Sequence, residues 1–300
     1  MNRRPILIIV SLVLATSTCM AGQTMSAEEA KDKVRAYAGY ELVWSDEFDK
    51  DGRPDPGKWT YERGFVRNEE LQWYRSDNAR CEKGLLVIEG RRERKANPGY
   101  DPEGRRWGQK RKYCEYTSAS VTTKGLHNWQ YGRFEMRGRI DTRAGLWPAF
   151  WMLGAKGRWP ANGEIDIMEY YRGMLLANAA WASCRQWTPI WDDVRKPIAE
   201  FDDPGWSAKF HVWRMDWDTD SIKLYVDDLL LNEIDVTKTF NKDREGKNPF
   251  RQPHYMILNL AIGGASGGDA SKTKFPARFE VDYVRVYKKA LRTSKSNNNQ

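Results

Sequence analysis

The feature that most restricts the fold is a short alternation that recurs along the chain. GLLVIEGR (84–91), SASVTT (118–123), YGRFEMRGRI (131–140), HVWRMDW (211–217), IKLYVDD (222–228) and FEVDYVRVY (279–287) are each about one strand long. Each is rich in β-branched and aromatic residues and is bounded by turn-forming residues such as Gly, Pro, Asp and Asn. No segment sustains a long 3.6-residue period. From Leu42 onward the pattern therefore predicts an all-β domain of two packed antiparallel sheets, with short helical turns at most. In FEVDYVRVY, alternation assigns Val281, Tyr283 and Arg285 to one face and Asp282, Val284 and Val286 to the other.

One large sandwich fits 300 residues, and no repeat or linker divides the chain. Arg3 and Arg4 precede an apolar run, Pro5 to Ala15 (PILIIVSLVLA), too short to span a bilayer. This predicts a signal peptide over 1–21, cleaved after Ala21, and an exported protein: periplasmic, cell-surface or secreted. Lipidation of Cys19 is the alternative fate of that segment. No later segment is long and apolar enough for a membrane helix. Residues 22–40 read as a leader, 41–289 as the domain, and the polar stretch 290–300 as a disordered tail. Two stretches read as loops: the basic 95–112 and the Trp-containing 184–209. A monomer is expected. If Cys19 leaves with the signal, Cys81, Cys114 and Cys184 remain, so at least one thiol is unpaired. Buried or loop thiols are the simpler reading, and a Cys81–Cys114 bridge is one the count allows.

The chain has 14 Trp and 14 Tyr, an excess that suits stacking on sugar rings as well as core packing. The net charge is +8, with much of the positive charge in Arg91, Arg92, Arg94, Lys95, Arg105, Arg106, Lys110, Arg111 and Lys112. That run reads either as a solvated loop or as a cleft wall for an anionic polysaccharide. Nucleic acid is disfavoured: the chain reads as exported, and its basic run interleaves aromatics only at Trp107.

The stretch GEIDIMEYY (163–171) crowds Glu164, Asp166 and Glu169 among apolar residues. Buried carboxylates cost several kcal/mol unless paired or protonated, so stability alone does not explain them. Strict alternation would bury Glu169 beside Ile165 and Ile167. One extra residue, a β-bulge near Ile167–Met168, returns Glu169 to the face of Glu164 and Asp166. Glu164 and Glu169 then lie about 13 Å apart at Cα, four strand steps, with side chains able to close much of that gap. Paired carboxylates with a third between them are the equipment of glycoside hydrolysis. A metal site or a solvated acidic edge are the other readings.

GEIDIMEYY resembles the E-x-D-x-x-E signature of glycoside hydrolase family 16, which includes laminarinases, lichenases, agarases, porphyranases and carrageenases. WSDEF (44–48), NEELQWY (68–74), GLWPAFWML (145–153), FHVWRMDW (210–217), ILNLAIGG (257–264) and VDYVRVY (281–287) resemble blocks of that family in its usual order, so the likeness covers nearly the whole domain. It implies a jelly-roll sandwich with a concave cleft. It implies Glu164 as nucleophile, Glu169 as acid and base, and Asp166 as the helper bonded to the nucleophile. Trp147 and Trp151 correspond to cleft aromatics, and Asn68 and Glu70 to sugar-hydroxyl contacts, with Glu69 departing from the usual N-N-E. Trp181 and Arg172 are further candidates for the cleft. The family's structural calcium would fall near Glu47 and Asp282; no cofactor is expected for catalysis.

The expectation is an endo-acting, retaining β-glycanase on β-1,3- or β-1,3/1,4-glucan. The alternatives are an agarase- or porphyranase-like β-galactanase on an anionic galactan, favoured if the basic loop faces the cleft, and a non-catalytic carbohydrate-binding jelly roll. Segments 175–193 and 263–276 depart from the usual laminarinase loops, which leaves the sugar open.

Overall fold

The computed structural model describes residues 36–290. The proposed signal segment with Cys19, most of the leader and the tail after Ala290 lie outside these residues. What is described is a β sandwich with one four-residue α-helical turn, Gly264–Gly267, and a few 3-10 turns. One sheet has seven strands, in the order Pro189–Pro197, Met174–Ala182, Glu164–Tyr171, Leu146–Gly154, His254–Ile262, Ser120–Thr122 and Thr60–Tyr61. The other has ten, with Ala277–Lys289 at its centre between Gly132–Arg139 and Leu85–Ala96. Pairing is antiparallel except where Gln72–Tyr74 lies parallel to Tyr113–Ser118.

Between the sheets lies the core: Leu86, Ile88, Phe134, Met136, Phe150, Met152, Leu258, Leu260 and their neighbours are fully buried. These alternate along their strands, so each strand contributes one face to the interior and the other to the outside. Ala277–Lys289 departs from the simple alternation. Its register against Gly132–Arg139 shifts between Val281 and Tyr283. That bulge puts Val281 in the core together with Val284 and Val286, while Arg285 lies on the opposite side over the Tyr283 ring. The expected grouping of Val281 with Arg285 is thus corrected: one inserted residue changes the phase.

Two boundaries also differ from expectation. Tyr40 opens the first strand, Tyr40–Asp46, and Tyr37 packs edge-on against Tyr287, so the domain begins inside the expected leader. Residues 184–209 are not all loop. Pro189–Pro197 pairs along its whole length with Met174–Ala182; being an edge strand, it carries polar residues in place of an apolar signature. No Cys81–Cys114 bridge forms: both thiols are free and buried, and Cys184 is free and exposed. No described helix is long and apolar enough to cross a membrane.

Candidate active site

The expected bulge is present. Against Leu146–Gly154 the register of Glu164–Tyr171 shifts between Asp166 and Met168, and against Met174–Ala182 between Asp166 and Glu169. Ile165, Ile167 and Met168 are all buried in the core. Glu164, Asp166 and Glu169 meanwhile line one cleft of about 610 Å³ on the outer face of the seven-stranded sheet. Glu164 stands opposite Leu153 and Glu169 opposite Ala149, so the two carboxylates are four steps apart on the neighbouring strand, about 13 Å at Cα.

Two of the carboxylates have an indole donor, and the third shares an amide. The Trp159 indole N–H reaches Glu164 Oε2 at 2.5 Å, and the Trp147 N–H reaches Glu169 Oε1 at 2.7 Å. Asn178 lies opposite Asp166 in the register and donates weakly, at 3.5 Å to Asp166 Oδ2 and 3.4 Å to Glu169 Oε2. Trp159 is carried on the loop between two cleft strands. That loop is held by Asn162 Nδ2 to Gly154 O (3.0 Å), Asn241 Nδ2 to Ala161 O (2.8 Å) and Gln252 Nε2 to Asn162 O (3.0 Å). The loop comes so close that a Cβ at Gly154 would sit 1.9 Å from Asn162 O, which requires glycine there.

The three acids titrate differently. Burial, then the neighbouring charges of Glu164 and Glu169, push Asp166 well above the usual carboxylate range. Asp166 also hydrogen-bonds Glu164, a bond that lowers Glu164 and raises Asp166. Burial also raises Glu164, but its bonds to Trp159 and Asp166 and the Arg67 charge oppose that rise. Glu169 is pushed up to about 7 by burial, with the Trp147 bond pulling the other way. Three neighbouring carboxyls whose surroundings shift them by different causes, one of them poised at about 7, are groups suited to nucleophilic attack and proton transfer.

Trp147 and Trp151 share the cleft face but are buried, at 8% and 7% exposed. Trp151 is held by its N–H to Asn259 Oδ1 (2.7 Å) and is covered by Arg67, 5.0 Å from the ring. Asn68 and Glu70 both line the cleft, and Glu70 accepts from Gln72 at 2.6 Å and Asn68 at 3.5 Å. Trp181 is a correction: it faces the core edge-on to Phe250, because the residues opposite the acids are Ala180, Asn178 and Leu176. Arg172 is another. It occupies the two-residue turn Arg172–Gly173, both at positive φ, is exposed, and does not line the cleft.

Glu47 and Asp282 do not fit a calcium site. Glu47 is bound by Arg285 through two hydrogen bonds (3.0 and 2.9 Å), and Asp282 by Arg137 at 2.7 Å. Among the described residues no three acidic, His or Cys side chains cluster as metal ligands do.

Sequence reasoning missed several cleft residues, among them Arg67, Trp159, Asn178, Trp191, Asp193, Arg195 and Asn259. A lone amide in an apolar strand (MLLANAAWA, HYMILNLAI) was a usable signal for Asn178 and Asn259. A Trp in a Gly/Pro loop five residues before Glu164 was one for Trp159.

A β sandwich with this acid cluster in an aromatic-walled cleft defines a polysaccharide-cleaving glycoside hydrolase. Comparison with known proteins narrows the class. Residues 105–285 match the model for glycosyl hydrolases family 16. A beta-glucanase of Rhodothermus marinus is 37% identical over 90% of this chain and 91% of its own. The laminarinase catalytic domain of Thermotoga petrophila RKU-1 is 33% identical, with a TM-score of 0.69 over 83% of this chain and 98% of that one. A structure solved in work on endo-acting O-glycanases with which human gut microbiota initiate mucin breakdown is 38% identical. Its TM-score is 0.76, over 84% of this chain and 91% of that one. The chain belongs to glycoside hydrolase family 16.

Proposed function

We propose that this protein is an endo-acting, retaining β-glucanase cutting β-1,3- or β-1,3/1,4-linked glucan by double displacement. One observation carries the chemistry: the bulge at Ile167–Met168 gathers Glu164, Asp166 and Glu169 on the open cleft face. The beta-glucanase and laminarinase relatives support the substrate.

In this reading Glu164 attacks the anomeric carbon while Glu169 gives its proton to the departing glycosidic oxygen. A glycosyl–Glu164 ester results. Glu169, now ionised, takes a proton from water as the water attacks the anomeric carbon, the bond from that carbon to the Glu164 oxygen breaks, and the sugar leaves with retention of configuration. Protonated Asp166 holds Glu164 in place and favours its charge. An acid poised at about 7 and a nucleophile whose charged form is favoured by Trp159, Asp166 and Arg67 against its burial are the pair this sequence of steps needs.

The test is product release from laminarin, mixed-linkage glucan, agarose, porphyran, κ-carrageenan and mucin O-glycans, with Glu164→Gln as the blank. Oligosaccharides from the glucans, absent with the variant, are the expected result. Products from galactans or mucin chains alone overturn the glucan assignment. The mucin substrate is a second reading, favoured by the O-glycanase neighbour. An anionic galactan loses its main support, since no residue of 91–112 lines the cleft.

We also propose export, supported by Arg3, Arg4 and the short apolar run after them. Cys19 is offered as a lipid anchor if cleavage falls before it. The mass of the mature N-terminus distinguishes the two fates.

A further inference from the structure

The edge strand Pro189–Pro197 reads as unstructured in the sequence, yet it builds one wall of the cleft. Its exposure alternates: Trp191, Asp193 and Arg195 are exposed, while Ile190, Asp192 and Val194 are half-buried. Trp191 pairs with Ala180, which pairs with Glu164. Asp193 is likewise in line with Asn178 and Asp166, and Arg195 with Leu176 and Glu169. The exposed triplet therefore stands on the catalytic face, two strands away, about 10 Å from the acids, and all three residues line the cleft. That span suits the sugar next to the one being cut.

The strand is held rigidly. Nine register pairs join it to Met174–Ala182. Asn232 Nδ2 links it to the sandwich by donating to Ala177 O (2.9 Å) and Asp192 Oδ1 (3.0 Å). A preformed wall loses little entropy when a ligand docks.

Trp191 is 42% exposed, whereas Trp147 and Trp151 are buried with their N–H groups bonded to protein. The partly exposed Trp191 ring lines the cleft and is a surface on which a sugar can stack. Asp193 and Arg195 form an ion pair through Oδ2 and Nε at 3.0 Å, a bond that does not use the terminal guanidinium nitrogens or the second carboxylate oxygen of these two cleft-lining residues. A donor–acceptor pair of net zero charge matches vicinal hydroxyls and gives no net attraction to a sulfate or carboxylate.

We infer that Trp191, Asp193 and Arg195 form a specificity wall that takes a neutral pyranose of the polysaccharide next to the cleavage point. Trp191 stacks on the ring, and the Asp193–Arg195 pair reads adjacent hydroxyls. The inference rests on the glucanase reading and names the residues that would select its substrate.

The test is calorimetric binding of laminaritetraose to Glu164→Gln, and to the same protein carrying Trp191→Ala, Trp191→Phe or Arg195→Ala. The expected result is at least a tenfold rise in Kd for Trp191→Ala, a smaller rise for Trp191→Phe, and a several-fold rise for Arg195→Ala. Because these side chains are exposed, the variants should keep the parent melting temperature. Binding of Trp191→Ala within twofold of Glu164→Gln overturns the wall while leaving the glucanase reading intact. No binding to Glu164→Gln, together with no glucan cleavage by the unmutated protein, overturns the glucanase reading and this inference with it.

Discussion

Trp147 donates its indole N–H to Glu169 Oε1 at 2.7 Å, and the same ring leans edge-on against Tyr171, 5.6 Å away between centroids. An aromatic expected to serve as a sugar platform thus positions an acid. Burial raises Glu169 to about 7, and this bond restrains the rise by favouring the ionised form.

Trp147→Phe keeps the ring and removes that donor. Glu169 should then hold its proton to higher pH. The alkaline limb of kcat/KM, which reports the acid in the free enzyme, should move up by about one unit, the size of one hydrogen bond to a charged group. A pH–rate profile of the two proteins checks this. An alkaline limb that stays in place separates the indole from the acid.

Trp159→Phe acts on the other carboxylate. Without the N–H at 2.5 Å, the charged form of Glu164 loses a donor, so its acid limb should shift to higher pH. We expect kcat/KM at neutral pH to fall about 10- to 100-fold, the range for a charge-assisted bond. Near-normal steady-state kinetics would leave Trp159 no part in holding the nucleophile.

Glu169→Gln should abolish turnover yet stabilise the fold at alkaline pH. Below pH 4.5 the carboxyl is protonated folded and unfolded, so it costs nothing. Between 4.5 and about 7 the unfolded chain releases the proton while the folded one retains it, so stability falls as pH rises. Above 7 the full cost of a buried charge is present. A rise from 4.5 to about 7 corresponds to about 3 kcal/mol, so thermal melts should place the variant roughly 6–12 °C above the parent at pH 8, with the two converging at pH 4. A variant less stable than the parent at pH 8 contradicts this account of Glu169.

Chelation should leave the domain unchanged. Because Glu47 and Asp282 are each engaged by an arginine, melting with EDTA and with added calcium should agree to within about 1 °C, where a bound structural ion would raise Tm with concentration. A rise of several degrees on adding calcium would place a site elsewhere in the chain.

Much of this was legible in the sequence. Alternating runs between turn residues define an all-β sandwich because the strand period is local. Glu164, Asp166 and Glu169 could be grouped, and a bulge inferred, because burying Glu169 beside two Ile is too costly. The resemblance across successive blocks pointed to the family. Asn68, Glu70, Trp147 and Trp151 were all expected at the cleft, and all line it.

What only the tertiary structure decided depends on partners distant in sequence. Val281 changed sides because of a bulge at a strand whose charged residues disguise the phase. Trp181 fell to the core because the register aligns Ala180, rather than its neighbour, with Glu164. Arg91, Arg92, Arg94 and Arg111 read as part of a free basic patch. In the fold, Arg91 pairs with Glu89 and Arg94 with Glu115. Arg92 is bonded to the carbonyls of Ala270 and Ser271, and Arg111 to those of Glu69 and Glu70. The edge strand with Trp191, Asp193 and Arg195 carries no apolar signature, since it is covered on one side only. Local periodicity specifies what a segment can be. Which face meets the substrate is set by register, and register is a property of the assembled sheet.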